Sequence, residues 1–261
     1  MKIPFVNRHP TVAVIRLSGA IGSGGRSLND ANIGPVIEKA FAKKPAAVAL
    51  VINSPGGSPA QSSLIGSRIR RLADEKDIPV HAFVEDVAAS GGYWLASSAD
   101  DIWIDHSSVV GSIGVIAATF GAHEFLAKQG FERRVHTAGK SKSMLDPFRP
   151  EKKEDVKRLE GILSQLHDTF IAQIKSRRGE KLSQDVDLFT GEFWLGETAV
   201  NLGLADGIGH AVPKLKELYG DKVRFAKYGP KRGLFQRFGA QMMDDAVGAI
   251  EERAAYARFG L

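Results

Sequence analysis

Three features of the sequence predict an α/β fold with much parallel sheet. Short β-branched runs lack polar alternation, helical patterns lie between them, and glycine-rich turns join run to helix. Thr11–Gly19 is a β-branched run that ends at a glycine, as a buried strand does. Ala20–Leu28, rich in glycine and serine, reads as a loop. A helix follows from about Asn29 to Lys43, with Ile33, Val36, Ile37, Ala40 and Phe41 on one face. Val48–Ile52 is a second continuous strand, ending abruptly in Asn53-Ser54-Pro55-Gly56-Gly57. Ser58 then caps a helix with Pro59 in its first position, and this helix points Leu64, Ile65, Ile69 and Leu72 inward to about Ala73.

Residues 78–84 read as the next strand and Leu95–Ala99 as helix, so Ser90 stands where a strand hands over to a helix. Further strands fit Asp101–Asp105, Ile113–Ala118 and Phe131–Thr137. A short helix, Ala122–Gln129, stops at Gly130. Ala138–Pro150 is a loop, and Pro150 opens a long helix to about Arg178. Val156, Leu159, Ile162, Leu163, Leu166, Phe170 and Ile174 share one face of it. Phe193–Gly209 holds a short helix and a return to strand. Lys227–Arg232 reads as a linker before a helical tail, Leu234 to about Arg258. The predicted division is therefore a domain over 1–226 and a linker with tail over 227–261. No internal repeat is visible.

Composition narrows the chemistry. At 261 residues the chain can bury one full core. With no cysteine, disulfides, thiolate metal sites and cysteine nucleophiles are excluded. The net charge of +5 is scattered among acids, which argues against a nucleic-acid partner and leaves anionic lipid or acidic partners as the better fit. No run spans a bilayer, and Met1–Pro10 lacks the apolar core of a signal peptide, so a cytoplasmic chain, peripheral at most on the inner membrane, is expected.

Ser90, lifted out of the sheet edge between small residues and two glycines, has the setting of a nucleophile. The N–H groups of the helix behind it have no partners within the helix and can receive negative charge. Those of the Pro-Gly-Gly turn can complete an oxyanion hole with Gly91. A tight turn alone also explains Pro55-Gly56-Gly57. The base is open on the residues alone. His106, His123 and His136 are the histidines nearest downstream, and none has a neighbourhood that marks it. Lysine is the other base for a serine and must be uncharged to act, which burial beside apolar groups favours. Lys140 and Lys142 lie in a loop before Met144, Leu145, Pro147 and Phe148, and Lys142 could point into an apolar pocket. No nucleotide-binding glycine pattern occurs in the Asn53–Gly57 turn.

Four stretches together resemble the signal peptide peptidase A family of serine peptidases, family S49: Asn53–Gly57, Ala89–Trp94, Gly111–Val115, and Lys142-Ser143 with Pro147-Phe148. Gly196–Gly209 is similar to the family as well. The resemblance implies a Clp protease/crotonase-like fold of strand–strand–helix units. It implies Ser90 as nucleophile, Lys142 as general base, Gly57 and Gly91 as oxyanion hole, and Ser112 as the serine that orients the lysine. Lys142 rather than Lys140 takes the role because the family lysine stands five residues before the proline, as Lys142 does before Pro147. It implies no metal or other cofactor, and a homo-oligomer with sites at subunit junctions. Family members commonly carry an N-terminal membrane anchor, which is not seen here, and the single copy of each motif fits the short form. The expected substrate is an extended apolar peptide, such as a signal-peptide remnant or a membrane-derived fragment. The rivals are a serine–histidine Clp-type protease, an acyl-CoA enzyme of the crotonase type, and a non-catalytic peptide-binding ring. For the tail, packing on a neighbouring subunit or disorder is preferred to lying on a membrane.

Overall fold

The continuous apolar runs become the middle of one sheet. In a computed structural model, which describes residues 9–22, 27–229 and 253–261, β1 (Thr11–Ser18), β2 (Ala47–Ser54) and β3 (Val80–Ala89) pair in parallel. Beyond β1 lies β8 (Arg224–Tyr228), also parallel. β8 therefore takes in the first two residues of the stretch expected to be a linker. Beyond β3 the sheet forks. β4 (Asp101–Ile104) pairs with the first half of β3, and β5 (Val109–Gly111) pairs with its last three residues. β6 (Phe193–Leu195) closes the β5 edge antiparallel, and β7 (Gly207–Ile208) lies beside β4.

The fork leaves backbone carbonyls to satisfy. The buried Ser108 hydroxyl donates to the carbonyl of Glu85 at 2.5 Å, lies 3.2 Å from that of Val84, and accepts from the Asp105 N–H at 2.9 Å. One side chain thus holds the split between β4 and β5.

The helices form where their caps allow. α1 (Asp30–Ala42) starts at Asn29, whose side chain accepts from the Asn32 N–H. α2 (Pro59–Lys76) starts at Ser58 with proline in the first turn and stops at Asp77, in the left-handed conformation with φ 52°. α3 (Gly91–Ser97) is buried along its whole length. α7 (Ala211–Tyr219) covers one sheet face, where Leu215 packs with Val12, Ala47, Ala49 and Phe83. On β1, Ala13, Ile15 and Leu17 are all buried, whereas Arg16 is exposed.

Contacts divide the chain into two units, one of residues 1–113 with 171–261 and one of residues 114–170. The whole sheet belongs to the first. The second holds α4 (His123–Lys128) and most of α5 (Lys153–Arg178). The strands expected at Ile113–Ala118 and Phe131–Thr137 do not form: both stretches are irregular. A strand needs a ladder partner as well as β-branched residues. Ile116 and Phe131 are both 67% exposed, and Arg133 and Arg134 are engaged with Asp146 and Glu132 instead.

Three smaller differences have equally local causes. β3 runs five residues past the expected end at Val84, because β5 offers it a second partner. Leu64 faces solvent, since the inward face of α2 is set by Ser62, Ile65, Gly66, Ile69 and Leu72. The apolar stripe of α5 is fully covered only at Phe170 and Ile174, and Ile162 and Leu166 are exposed. The expected tail helix falls largely on 230–252, outside the described residues. Residues 253–257 are helical.

Candidate active site

β3 ends at Ala89 and α3 begins at Gly91, so Ser90 must turn the chain by itself. It does so with φ 51° and ψ −121°, a conformation that costs a non-glycine residue about 1–3 kcal/mol. The surrounding hydrogen bonds hold it there. The Ser90 N–H donates to the Gly111 carbonyl at 2.8 Å, and the Ser90 carbonyl accepts from the N–H groups of Tyr93 and Trp94 at 2.9 and 3.0 Å. This is a nucleophile elbow, with the serine at the mouth of a buried helix.

The turn after β2 touches the elbow. A Cβ built on Gly56 would lie 2.7 Å from the Gly91 nitrogen and 2.8 Å from the Ser90 Cβ, so only glycine permits the approach. A Cβ on Gly91 would lie 2.3 Å from the Ser62 Oγ and 3.4 Å from the Gly57 nitrogen. The Gly56-Gly57 turn and Gly91 therefore lie against each other beside Ser90. Among the described residues neither N–H donates to a protein acceptor. The turn is braced from behind. Ile21 accepts from the Ser58 N–H and donates to the Gly56 carbonyl, both at 2.8 Å, and the Ser54 hydroxyl donates to the Gly19 carbonyl at 2.7 Å.

Ser112 follows β5 directly. It has φ 52°, and its N–H donates to the Glu192 carbonyl at 2.6 Å. The register pair Ala89–Gly111 brings the starts of both serine turns together. The first unit thus assembles Ser90, Gly57, Gly91 and Ser112. Lys142 belongs to the second unit, in a run of turns over 140–145, where its N–H donates to the Gly139 carbonyl at 3.2 Å. The side chain is exposed, not sunk into an apolar pocket, and Met144, Leu145 and Phe148 beside it are half-buried. Lys140 is exposed in the same turns.

Behind the elbow lies a polar network with one motif at its centre. The Tyr93 hydroxyl, in α3, donates to the Leu204 carbonyl at 2.8 Å, and burial pushes its phenol well above the usual range. The buried Arg178 guanidinium donates to the Gly203 carbonyl and to Asp206. Burial raises the Asp206 carboxyl. Arg178, Lys181 and the Ile102 N–H outweigh it, and the group ends below its ordinary value. The Gly196–Gly209 segment therefore supports α3 rather than touching the nucleophile.

Sequence reading missed His81. It is buried, with Nδ1 2.8 Å from an Asp101 oxygen and Nε2 2.7 Å from the Tyr219 hydroxyl. Both nitrogens are engaged within the fold, so this cluster ties α7 to β3 and β4. Its signal was faint: a histidine at the start of an apolar run, with its partners 20 and 138 residues away. His106 is exposed beside Glu197, and in the second unit His123 is half-exposed and His136 exposed.

A parallel sheet with a serine elbow, backed by a glycine turn that supplies free N–H groups, is the arrangement of the Clp protease/crotonase class. Two solved structures share the fold. The "1510-N membrane-bound stomatin-specific protease", solved as a serine-to-alanine mutant, has TM-score 0.55 at 17% identity and covers 86% of this chain and 100% of its own. A lysine-to-alanine mutant bearing the same name, in complex with a substrate peptide, has TM-score 0.52 at 15% identity, covering 93% and 98%. The family model "Peptidase family S49" matches residues 73–220, and the chain belongs to that family.

Among relatives, "Na(+)/H(+) antiporter NhaA" of Brucella melitensis is 49% identical over 96% of this chain and 37% of its own length. "Probable protease SohB" of Haemophilus influenzae is 32% identical over 80% and 59%. "Serine protease SPPA, chloroplastic" of Arabidopsis thaliana is 30% identical over 76% and 30%. The chain thus spans between about a third and three fifths of these relatives. Among the described residues no helix is long and apolar enough to cross a membrane.

Proposed function

We propose that this chain is a serine endopeptidase acting on extended, apolar peptides through a Ser90–Lys142 dyad. The observation that carries this reading is the pair of free N–H groups, Gly57 and Gly91, beside the strained Ser90 elbow. A site of this shape suits a tetrahedral oxyanion, and each donor is worth about 3–4 kcal/mol in the transition state.

In the proposed reaction the uncharged Lys142 amine takes the Ser90 hydroxyl proton as Oγ bonds to the peptide carbonyl carbon. The carbonyl electrons move onto oxygen, facing Gly57 and Gly91. Collapse breaks the C–N bond, and the lysine returns the proton to the leaving amine. Water then attacks the acyl-enzyme, giving a proton to the lysine; the C–Oγ bond breaks, the lysine returns that proton to Ser90 Oγ, and the carboxylic acid product leaves. Ser112 would orient the amine. Lys142 is exposed in the single chain, so the dry surroundings a neutral lysine needs must be completed by bound peptide or by a second copy.

Self-association is part of this proposal. Ile116, Phe120, Phe125 and Phe131 of the second unit are all more than 60% exposed, a surface that favours a partner subunit. We also place the work beside the inner membrane on its cytoplasmic side, because relatives of high identity carry the name of an antiporter.

The test is covalent labelling with a fluorophosphonate, read by mass spectrometry. Wild type should be labelled at Ser90, Ser90→Ala not at all, and Lys142→Ala far more slowly. Equal labelling of wild type and Lys142→Ala would remove the lysine from the mechanism. If His106→Ala, His123→Ala or His136→Ala alone stopped labelling, a serine–histidine dyad would replace it.

A further inference from the structure

α7 covers only part of its sheet face. Towards the carboxyl ends of the strands, Arg16 is exposed, Val51 and Asn53 are half-buried, and a cavity of about 440 Å³ opens between Val51, Phe83, Glu85, Asp105 and His210. In open α/β sheets, ligands bind at the carboxyl ends of the strands. The chain's own C-terminal segment occupies this place. Tyr256 and Phe259 pack on Val87, Ala89 and Val109. The Tyr256 hydroxyl donates to the Asn53 carbonyl at 2.6 Å. Phe259 meets Phe193 edge to face at 5.2 Å, and Leu261 lines the cavity.

These contacts fall on both segments that build the candidate site. Asn53 opens the turn that carries Gly57, and Ala89 is the residue before Ser90. We infer that the apolar patch of Val87, Ala89, Val109 and Phe193 is a docking surface for the apolar side chains of a peptide, and that residues 253–261 are its resident occupant. The tail must then leave before a peptide can dock.

Two features suit such a gate. Residues 253–257 are helical, and the contacts of Tyr256 and Phe259 seat them on the patch. A peptide bond must be extended to be cleaved in a sheet-edge groove, and a helical segment is not, so the tail can cover the patch without being cut there. Its sequence, Arg253-Ala-Ala-Tyr-Ala-Arg-Phe-Gly-Leu261, offers two aromatic rings among small residues, which matches the apolar surface beneath it.

The inference rests on the peptide-binding part of the proposed function but not on turnover, so it is tested without catalysis. Full-length Ser90→Ala protein is titrated with a fluorescein-labelled decapeptide rich in Ala and Leu, followed by anisotropy. Adding Tyr256→Ala and Phe259→Ala should tighten binding about tenfold, and a free synthetic peptide of sequence 253–261 should compete with the probe. Hydrogen exchange on the Ser90→Ala chain, which keeps its own tail, gives a second readout: saturating probe should speed exchange at the amides of 259–261. No probe binding, equal affinity with and without the two aromatic side chains, or unchanged tail exchange would each overturn the inference. Fluorophosphonate labelling of wild type separates the failures. Tail displacement without labelling removes the peptidase and keeps the gate, and labelling without displacement does the reverse.

Discussion

Ser90 and Ser112 leave neighbouring parallel strands one residue beyond the same register pair, Ala89 against Gly111, and both turn with left-handed φ, 51° and 52°. Two strained serines side by side, one bonded through its N–H to the residue before the other, form a rigid corner. The strain at Ser90 presents a hydroxyl, and in the proposed mechanism Ser112 orients the base. Ser112→Ala keeps the strain and loses the hydroxyl, whereas Ser112→Gly loses both. If the hydroxyl orients Lys142, both variants should slow fluorophosphonate labelling of Ser90 about tenfold, the weight of one hydrogen bond. The glycine variant should melt no lower than wild type. Full labelling in both would leave Ser112 a turn residue only.

Gly91→Ala tests the closeness of turn and elbow. The new methyl group would meet the Ser62 Oγ at 2.3 Å and the Ile21 Cδ1 at 3.1 Å. We expect a loss of about 1–3 kcal/mol in urea unfolding, the range for overpacking. Because Ser62 is the nearest obstacle, Ser62→Ala should recover part of that loss in the double variant. Additive losses would mean that the backbone, not the hydroxyl, limits the space.

Acid should loosen the support behind α3. The Asp206 carboxyl is held below its ordinary value of 3.8, so in the folded chain it gives up its proton more readily than in the unfolded chain. Its contribution to stability is therefore complete above the unfolded value and is lost as pH falls through the depressed folded value. Melting temperature measured from about pH 6 downward should fall less steeply near and below pH 4 in Asp206→Asn than in wild type, even though the variant starts lower. Parallel curves would place the acid sensitivity elsewhere, for instance at Asp30, which Arg68 also holds low.

Ser108→Ala tests the fork in the sheet. Removing the hydroxyl leaves the Glu85 carbonyl and the Asp105 N–H without this partner in a buried place. A loss of about 1–3 kcal/mol is expected. Faster hydrogen exchange at Val109–Gly111 should accompany it, since the β5 branch is tied at that point. A stable variant with unchanged exchange would show that the strands hold the fork unaided.

Much of this could be read before any coordinates. The runs at Thr11–Gly19 and Val48–Ile52 needed no partner information to be read as buried strands, because β-branched and apolar residues follow one another in both with little polar alternation. Ser58-Pro59 announced a helix start through local capping chemistry, and that helix forms as expected; the cap at Asn29 was found only in the fold. The Ala-Ser-Gly-Gly and Pro-Gly-Gly stretches allowed close backbone approach, but a tight turn explained the second equally well until the fold brought the two together. What failed was whatever depended on a distant neighbour. Ile113–Ala118 and Phe131–Thr137 had the residues of strands and found no ladder. Leu64 satisfied the helical period by eye and still faced out, because one residue on a helix is a turn of about 100°.

Local chemistry along the chain thus settled the central strands and the capped helix, where the serine elbow falls, and which glycine-rich turn could lie beside it. Those features arise from backbone sterics and capping within a few residues. Folding in three dimensions decided that β3 forks between β4 and β5, that His81 meets Tyr219 across 138 residues, and that Tyr256 reaches Asn53. Such pairings depend on which surfaces are left uncovered once the sheet has closed, and no short window of sequence carries that information.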